Sequence, residues 1–148
     1  MSASTKLFTA IQALCFLAEA GEHSLSSEEL SRRMGTHPSR LRNILSMLVR
    51  GGVVRSTRGS AGGFLLAKPA RAIHLQEVYC SVETEKAFHL DVGKGNASTQ
   101  NDAGLLHAWF LDLFADIQIR IEDEMRGITL AQVLERIQST VTTSQLPR

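Results

Sequence analysis

Ser39, Arg40, Arg42 and Asn43 stand within five residues and carry side chains able to hydrogen-bond the edges of nucleic-acid bases. Arginine can give two parallel hydrogen bonds to guanine O6 and N7, and asparagine can read adenine. Arg50, Arg55, Lys68 and Arg71 follow as isolated cations. Such groups suit phosphate oxygens, which fix position without reading sequence. Arg58 and Gly59 lie in a glycine-rich stretch, where an arginine at a loop tip can enter a narrow minor groove. All of these residues belong to one block. From Ser31 to Arg71 there are nine Arg or Lys and no Asp or Glu, although the whole chain has a formal net charge of only +1. The remaining residues sum to −8. Charge sorted in this way is the footprint of a surface that meets phosphate. Most short charge runs are merely solvated faces; forty-one residues without an acid are long for that explanation.

Two cysteines, Cys15 and Cys80, are the other candidates for chemistry. They have no CxxC spacing and are too few for a disulfide framework, so a reducing, cytoplasmic setting is expected. Cys15 falls on the apolar face of a helix, where cysteine ordinarily acts as an inert small hydrophobe. The alternative is a redox-responsive thiol near a subunit interface, which requires exposure and a lowered pKa. Cys80 is open to the same two readings.

Each group needs an element to hold it. Leu7, Ile11, Leu14, Cys15 and Ala18 share one face at helical spacing, so residues 5–20 read as a helix. Ser26 and Glu29 form a capping box that starts a short second helix, with Leu25 and Leu30 as its hydrophobic staple. Gly35-Thr36-His37 is a three-residue turn, and Pro38 opens a third helix. Its Leu41, Ile44, Leu45, Leu48 and Val49 form an apolar stripe, which leaves Ser39, Arg40, Arg42, Asn43 and Arg50 off it. Residues 53–57 and 64–67 read as strands of a hairpin joined through glycine-rich residues 58–63. A short helix is expected over 74–83 and a mobile loop over 94–101. A long helix follows over about 104–126, and a last helix starts from the Thr129/Gln132 box and frays after Ser139. The fold class is therefore mainly α with a small β-hairpin wing. The chain divides into residues 1–83, a winged helix-turn-helix unit, a linker over 84–103, and residues 104–148, a dimerisation helix with a C-terminal helix.

Helix, tight turn, basic helix and glycine-rich hairpin form the order of a winged helix-turn-helix, whose second helix enters the major groove of double-stranded DNA. No apolar run is long enough for a membrane span, and no secretory leader is evident. There is no P-loop, HExxH, metal-spaced Cys/His set or nucleophile–base arrangement, so an enzyme is not expected. The rival reading is a winged-helix protein-interaction module whose basic face binds an acidic partner, because fold does not fix function.

The run SSEELSRRMGTHPSRLRNILSMLVRGGVVRSTRGSAGGFLLAKPARAIHLQEV resembles the DNA-binding core of the Rrf-type winged helix-turn-helix transcription regulators, a group that contains iron–sulfur and nitric-oxide sensing members. The wing within LRNILSMLVRGGVVRSTRGSAGGFLLAKP carries most of the likeness, which is good over about residues 5–83. The resemblance implies a homodimer in which the 104–126 helix crosses its partner through Leu106, Trp109, Phe110, Leu113, Ile117 and Ile121. It also implies a palindromic operator and action as a repressor. By position, Ser39, Arg42 and Asn43 match the major-groove readers, and Arg58 the minor-groove arginine. Cluster-binding members carry three cysteines before the long helix. The matching stretch here has none, only His89 and His107 flanking it, so neither an iron–sulfur cluster nor another metal is expected. A small effector is left open by the sequence.

Overall fold

The computed structural model describes residues 4–60, 62–83 and 102–144. Seventeen residues, Ser4–Ala20, form α1, which stops at Gly21 with φ +62°. Helix α2 is Ser27–Met34. Its N-cap is Ser26, whose Oγ accepts from the Glu29 N–H at 3.1 Å; such a cap contributes about 1 kcal/mol. The reciprocal half of the expected box is replaced, because the Glu29 carboxylate pairs with Arg33 one turn on at 2.5 Å. Leu25 and Leu30, the two staple residues, are both buried. Helix α3 is Pro38–Arg50 and buries Leu41, Ile44, Leu45 and Leu48.

The wing is β1, Val54–Thr57, paired antiparallel with β2, Gly63–Leu66, in the register Val54–Leu66 to Thr57–Gly63. The strands sit one residue inside and one residue ahead of the segments expected from sequence. Val53 instead gives its backbone to the end of α3 and to Ala67: its N–H goes to Leu48 O at 3.0 Å, and its carbonyl accepts from Ala67 at 2.9 Å. The hairpin is also docked at its other edge. Leu25 and Phe64 exchange two backbone hydrogen bonds of 3.1 and 2.9 Å, so the α1–α2 loop serves as a third, one-residue strand.

After the wing, a 3-10 turn at Ala70–Ala72, which sequence periodicity had not indicated, leads to α4, Leu75–Val82. Helix α5 spans Asp102–Arg126 and α6 spans Leu130–Ser144. The last helix thus continues past Ser139 rather than fraying there. Its start is held by the expected Thr129/Gln132 box: Thr129 N–H donates to Gln132 Oε1 at 2.9 Å and Gln132 N–H to Thr129 Oγ1 at 3.3 Å.

One core joins these pieces. Ala10, Leu14 and Leu17 of α1 pack with Leu30, Leu41, Leu45 and Leu48 of the helix-turn-helix, Ile73, Val78 and Val82 around α4, and Leu130 of α6. Helix α6 is therefore seated on the N-terminal unit instead of standing off with α5. Its return is tied by Leu130 N–H to Ile73 O at 2.8 Å and by Leu75 N–H to Ile128 O at 2.9 Å. His74 Nδ1 lies 2.8 Å from Arg126 O, linking the start of α4 to the end of α5. Gln118 does the same in mid-helix. It is buried on α5 and donates to Tyr79 Oη of α4 at 3.3 Å and to Glu122 at 2.9 Å. None of the described helices is long and apolar enough to cross a membrane. The linker expected over 84–103, including His89 and the loop at 94–101, lies outside the described residues up to 101.

Candidate nucleic-acid interface

Helix α3 positions its polar side chains by burying the opposite face. With Leu41, Ile44, Leu45 and Leu48 locked inward, Ser39, Arg40, Arg42, Asn43 and Arg50 are all exposed. The N-terminal end of α3 is built by a feature the sequence reading passed over as a simple turn. His37 is the N-cap, its Nδ1 accepting from Ser39 N–H at 3.3 Å and lying 2.8 Å from Ser39 Oγ. Ser39, predicted as a base reader, is thus engaged in capping the helix. Arg40 and Asn43 stand in solvent, and no side-chain hydrogen bond or ion pair among the described residues holds either of them.

Arg42 is differently placed. Its Nε donates to Ser27 Oγ at 3.2 Å, and its Nη2 pairs with Glu28, both on the first turn of α2. The guanidinium beside Glu28 is the main cause that holds the Glu28 carboxyl below its ordinary range, followed by a backbone hydrogen bond and one from Ser27. Glu28 was not singled out from sequence. It precedes the acid-free block by three residues and lies fourteen residues from Arg42, so neither composition nor helical periodicity connects them.

The cations expected at phosphates divide into two sets. Arg50, Arg55 and Arg71 are exposed, with no carboxylate partner among the described residues. Lys68 is half-buried and its Nζ is 2.6 Å from Glu77 Oε2. The other oxygen of Glu77 accepts from His74 N–H at 2.8 Å, so Lys68 helps hold the start of α4 and has less charge to offer a phosphate. Arg58 and Gly59 occupy the exposed wing tip, where Gly59 takes φ +108°, a conformation costly for any side chain.

The thiols are unlike each other. Cys15 is half-buried and borders a cavity of about 310 Å³ between α1 and α6. Burial, and then the charge of Glu19, push its pKa up. That is opposite to the lowered pKa a redox-reactive thiol requires. Cys80 is exposed on α4 and accepts a hydrogen bond from Gln76 at 3.2 Å. Iodoacetamide at neutral pH is therefore expected to label Cys80 well before Cys15, as peptide mass spectrometry over time would show; faster labelling of Cys15 would contradict the burial argument.

On α5, the apolar face is open. Leu105, Leu106, Trp109 and Phe110 expose 62, 57, 58 and 40% of their surface, and Leu111, Leu113 and Ile119 are also exposed. Trp109 meets Phe110 edge-to-face at 5.2 Å, and Phe110 stacks on Phe114 at 6.3 Å. Ile117 and Ile121, expected on the same face, are half-buried in the stretch that holds Gln118.

Comparison with known proteins gives the same picture. The Rrf2 family, described as iron-dependent transcriptional regulators, matches residues 3–136. A putative HTH-type transcriptional regulator from Bacillus subtilis, YwgB, is 33% identical over 114 residues, which cover 77% of this chain and 71% of YwgB. The regulator IscR of Escherichia coli is 32% identical over 126 residues, covering 85% and 74%. Among solved structures, a putative transcriptional regulator from Lactobacillus plantarum superposes with a TM-score of 0.76 at 22% identity, covering 95% of this chain and 94% of that one. The IscR of T. potens superposes with 0.69 at 23%, covering 100% and 93%. The iron dependence in the family description raises the question of a cluster. Clusters are held by cysteine thiolates, usually four, with two histidines replacing two of them in some centres. This chain has only Cys15 on α1, kept protonated by burial, and Cys80 on α4, with no cysteine from residue 81 onward. Its donor set does not fit an iron–sulfur cluster. With the family model covering most of the chain, a winged helix-turn-helix at its centre and transcriptional regulators as its relatives, the chain belongs to the Rrf2 family and is a DNA-binding transcription regulator.

Proposed function

We propose that the protein is a homodimeric repressor that binds a palindromic operator without an iron–sulfur cluster. The observation that carries this reading is the pairing of two surfaces on one chain: a cationic recognition helix and wing, and an open apolar face on α5. Exposed patches of such size on a protein are usually interfaces. A second copy is the fitting occupant, and a two-fold axis through α5 would bring two recognition helices into one dimer. Two α3 helices about 34 Å apart would fill successive major grooves and demand an inverted repeat. Arg42 and Asn43 read bases, Arg40 stands at the groove edge, and Arg50, Arg55 and Arg71 hold phosphates while Arg58 reaches the minor groove from the wing. The family resemblance supplies the direction of regulation, repression.

Selection from a genomic fragment pool by the purified, reduced, metal-free protein tests this. An enriched inverted repeat is expected, with two chains per site. A protein that enriches nothing, or that binds as one chain per site, would overturn the proposal. Asn43→Ala should then cost about 1–3 kcal/mol per half-site of the selected operator and relax preference at one base pair in each half-site. Arg50→Ala should weaken all duplexes alike and reduce the slope of log K against log salt by about 1.8 per dimer, about 0.9 for each chain. Competition with random duplex separates the two classes; equal losses on cognate and random DNA would move Asn43 to the phosphate set.

A further inference from the structure

The Arg42 contacts form a closed ring that the proposed reading of DNA does not use. Arg42 Nε donates to Ser27 Oγ at 3.2 Å, Ser27 Oγ donates to Glu28 Oε2 at 3.1 Å, and Glu28 Oε1 accepts from Arg42 Nη2. The acceptors are set by the fold. Ser27 is buried in the first turn of α2, behind the Ser26 cap. The ring itself faces solvent: the side chains of Arg42 and Glu28 are 54 and 63% exposed. A carboxylate on the groove-facing side of a DNA-binding helix pair is repelled by phosphates, so its presence there needs a compensating role.

We infer that Glu28 is a positioning residue that sets base specificity by holding Arg42 out of reach of phosphates and presenting it to a guanine. This rests on the DNA-binding reading above. A guanidinium has five N–H donors, and the ring engages two of its nitrogens, Nε and Nη2. Its remaining N–H groups can meet guanine O6 and N7 without leaving Glu28. Moving to a phosphate would break the ring and leave the Glu28 carboxylate unpaired beside the DNA backbone. Away from guanine, the Arg42–Glu28 unit is neutral and adds nothing to the attraction that drives non-specific binding. The pair thus converts an indiscriminate cation into a reader. The Arg42 guanidinium also holds the Glu28 carboxyl below its ordinary range, as a formed pair should.

The test uses the full chain and the operator selected by the wild-type protein. The base pair read by Arg42 is first located as the one whose substitution no longer matters in Arg42→Ala. Glu28→Gln keeps the size of the side chain and removes its charge. It is expected to bind random duplex several-fold more tightly, with a salt slope steeper by about 1.8 per dimer, because the freed Arg42 of each chain takes a phosphate. It is also expected to lose about tenfold in preference at the Arg42-dependent pair. In an Arg42→Ala background, Glu28→Gln should change neither that preference nor the salt slope. A uniform gain on every duplex with preference at that pair intact would overturn the inference, because it would reduce Glu28 to a simple charge effect. So would the same slope change with and without Arg42. Equal melting temperatures for wild type and Glu28→Gln are expected, since the pair is exposed, and Glu28→Ala provides a second variant if the glutamine rebuilds the ring. A wild-type protein that selects no sequence would instead overturn the DNA-binding reading, and this inference with it.

Discussion

Replacing Trp109 and Phe110 together with alanine is expected to leave the protein monomeric at micromolar concentration and to weaken binding to the full operator at least about a hundredfold, as loss of a pair of aromatic hot spots implies. In the single chain these rings sit largely in water, 58 and 40% exposed, although they already pack on one another at 5.2 Å. Burying apolar surface contributes about 25 cal/mol per Å², and large aromatics at the centre of an interface dominate its energy. Leu105, Leu106 and Leu113 surround the pair and extend the same open face. Operator affinity falls when dimerisation is lost, because one recognition helix then binds at a time and the second half-site no longer adds. Sedimentation velocity reads the first effect and titration of whole and half operators the second. The half-site affinity should not change, which separates loss of the dimer from loss of folding. A double variant that still sediments as a dimer, or a monomeric one that keeps full operator affinity, would sink the assignment of α5.

The second large effect is expected at Gly63. A Cβ there would lie 2.6 Å from the Leu25 carbonyl oxygen and 2.7 Å from its carbon. Both are backbone atoms, already held by the two hydrogen bonds between Leu25 and Phe64, so nothing can yield cheaply. Gly63 N–H also donates to Thr57 Oγ1 at 3.0 Å across the wing. Gly63→Ala should therefore cost about 2–3 kcal/mol, in the range of overpacked buried sites. It should lower the melting temperature by roughly 5–15 °C. The wing would separate from the α1–α2 loop, and the amides of Leu25 and Phe64 would exchange faster with solvent. Because Arg58 rides on this hairpin, affinity for all duplexes should fall as well. An unchanged melting temperature with both amides still protected would contradict the close approach.

These two sites also mark how far the sequence could be read. Helices α2, α3 and α6 were legible because each is amphipathic and carries a local start signal: the Ser26 cap at α2, Pro38 in the first turn of α3 and Thr129 at α6. The recognition face followed from the same periodicity, since burying Leu41, Ile44, Leu45 and Leu48 leaves Arg40, Arg42 and Asn43 no other side. The wing was legible from its glycines, and its strand ends shifted by one residue because Val53 gives its N–H to Leu48 at the end of α3, while Gly63 pairs with Thr57 inside the hairpin. The absence of a cysteine set in 84–103 was a matter of composition alone. What the amino-acid sequence determined by itself, then, was everything fixed by contacts within one turn or one hairpin: element types, the exposed face of α3, and the segregation of charge. Tertiary structure decided the rest, because it depends on groups distant in the chain. It paired Arg42 with Glu28, diverted Lys68 to Glu77, tied His74 to Arg126, seated α6 on α1 through Leu130, and turned Gln118 inward on a helix whose spacing marks its neighbours Ile117 and Ile121 but not Gln118 itself. In each case a polar or apolar group found its partner across a packed interface, and no local pattern encodes which of many chemically suitable partners the fold will bring into contact.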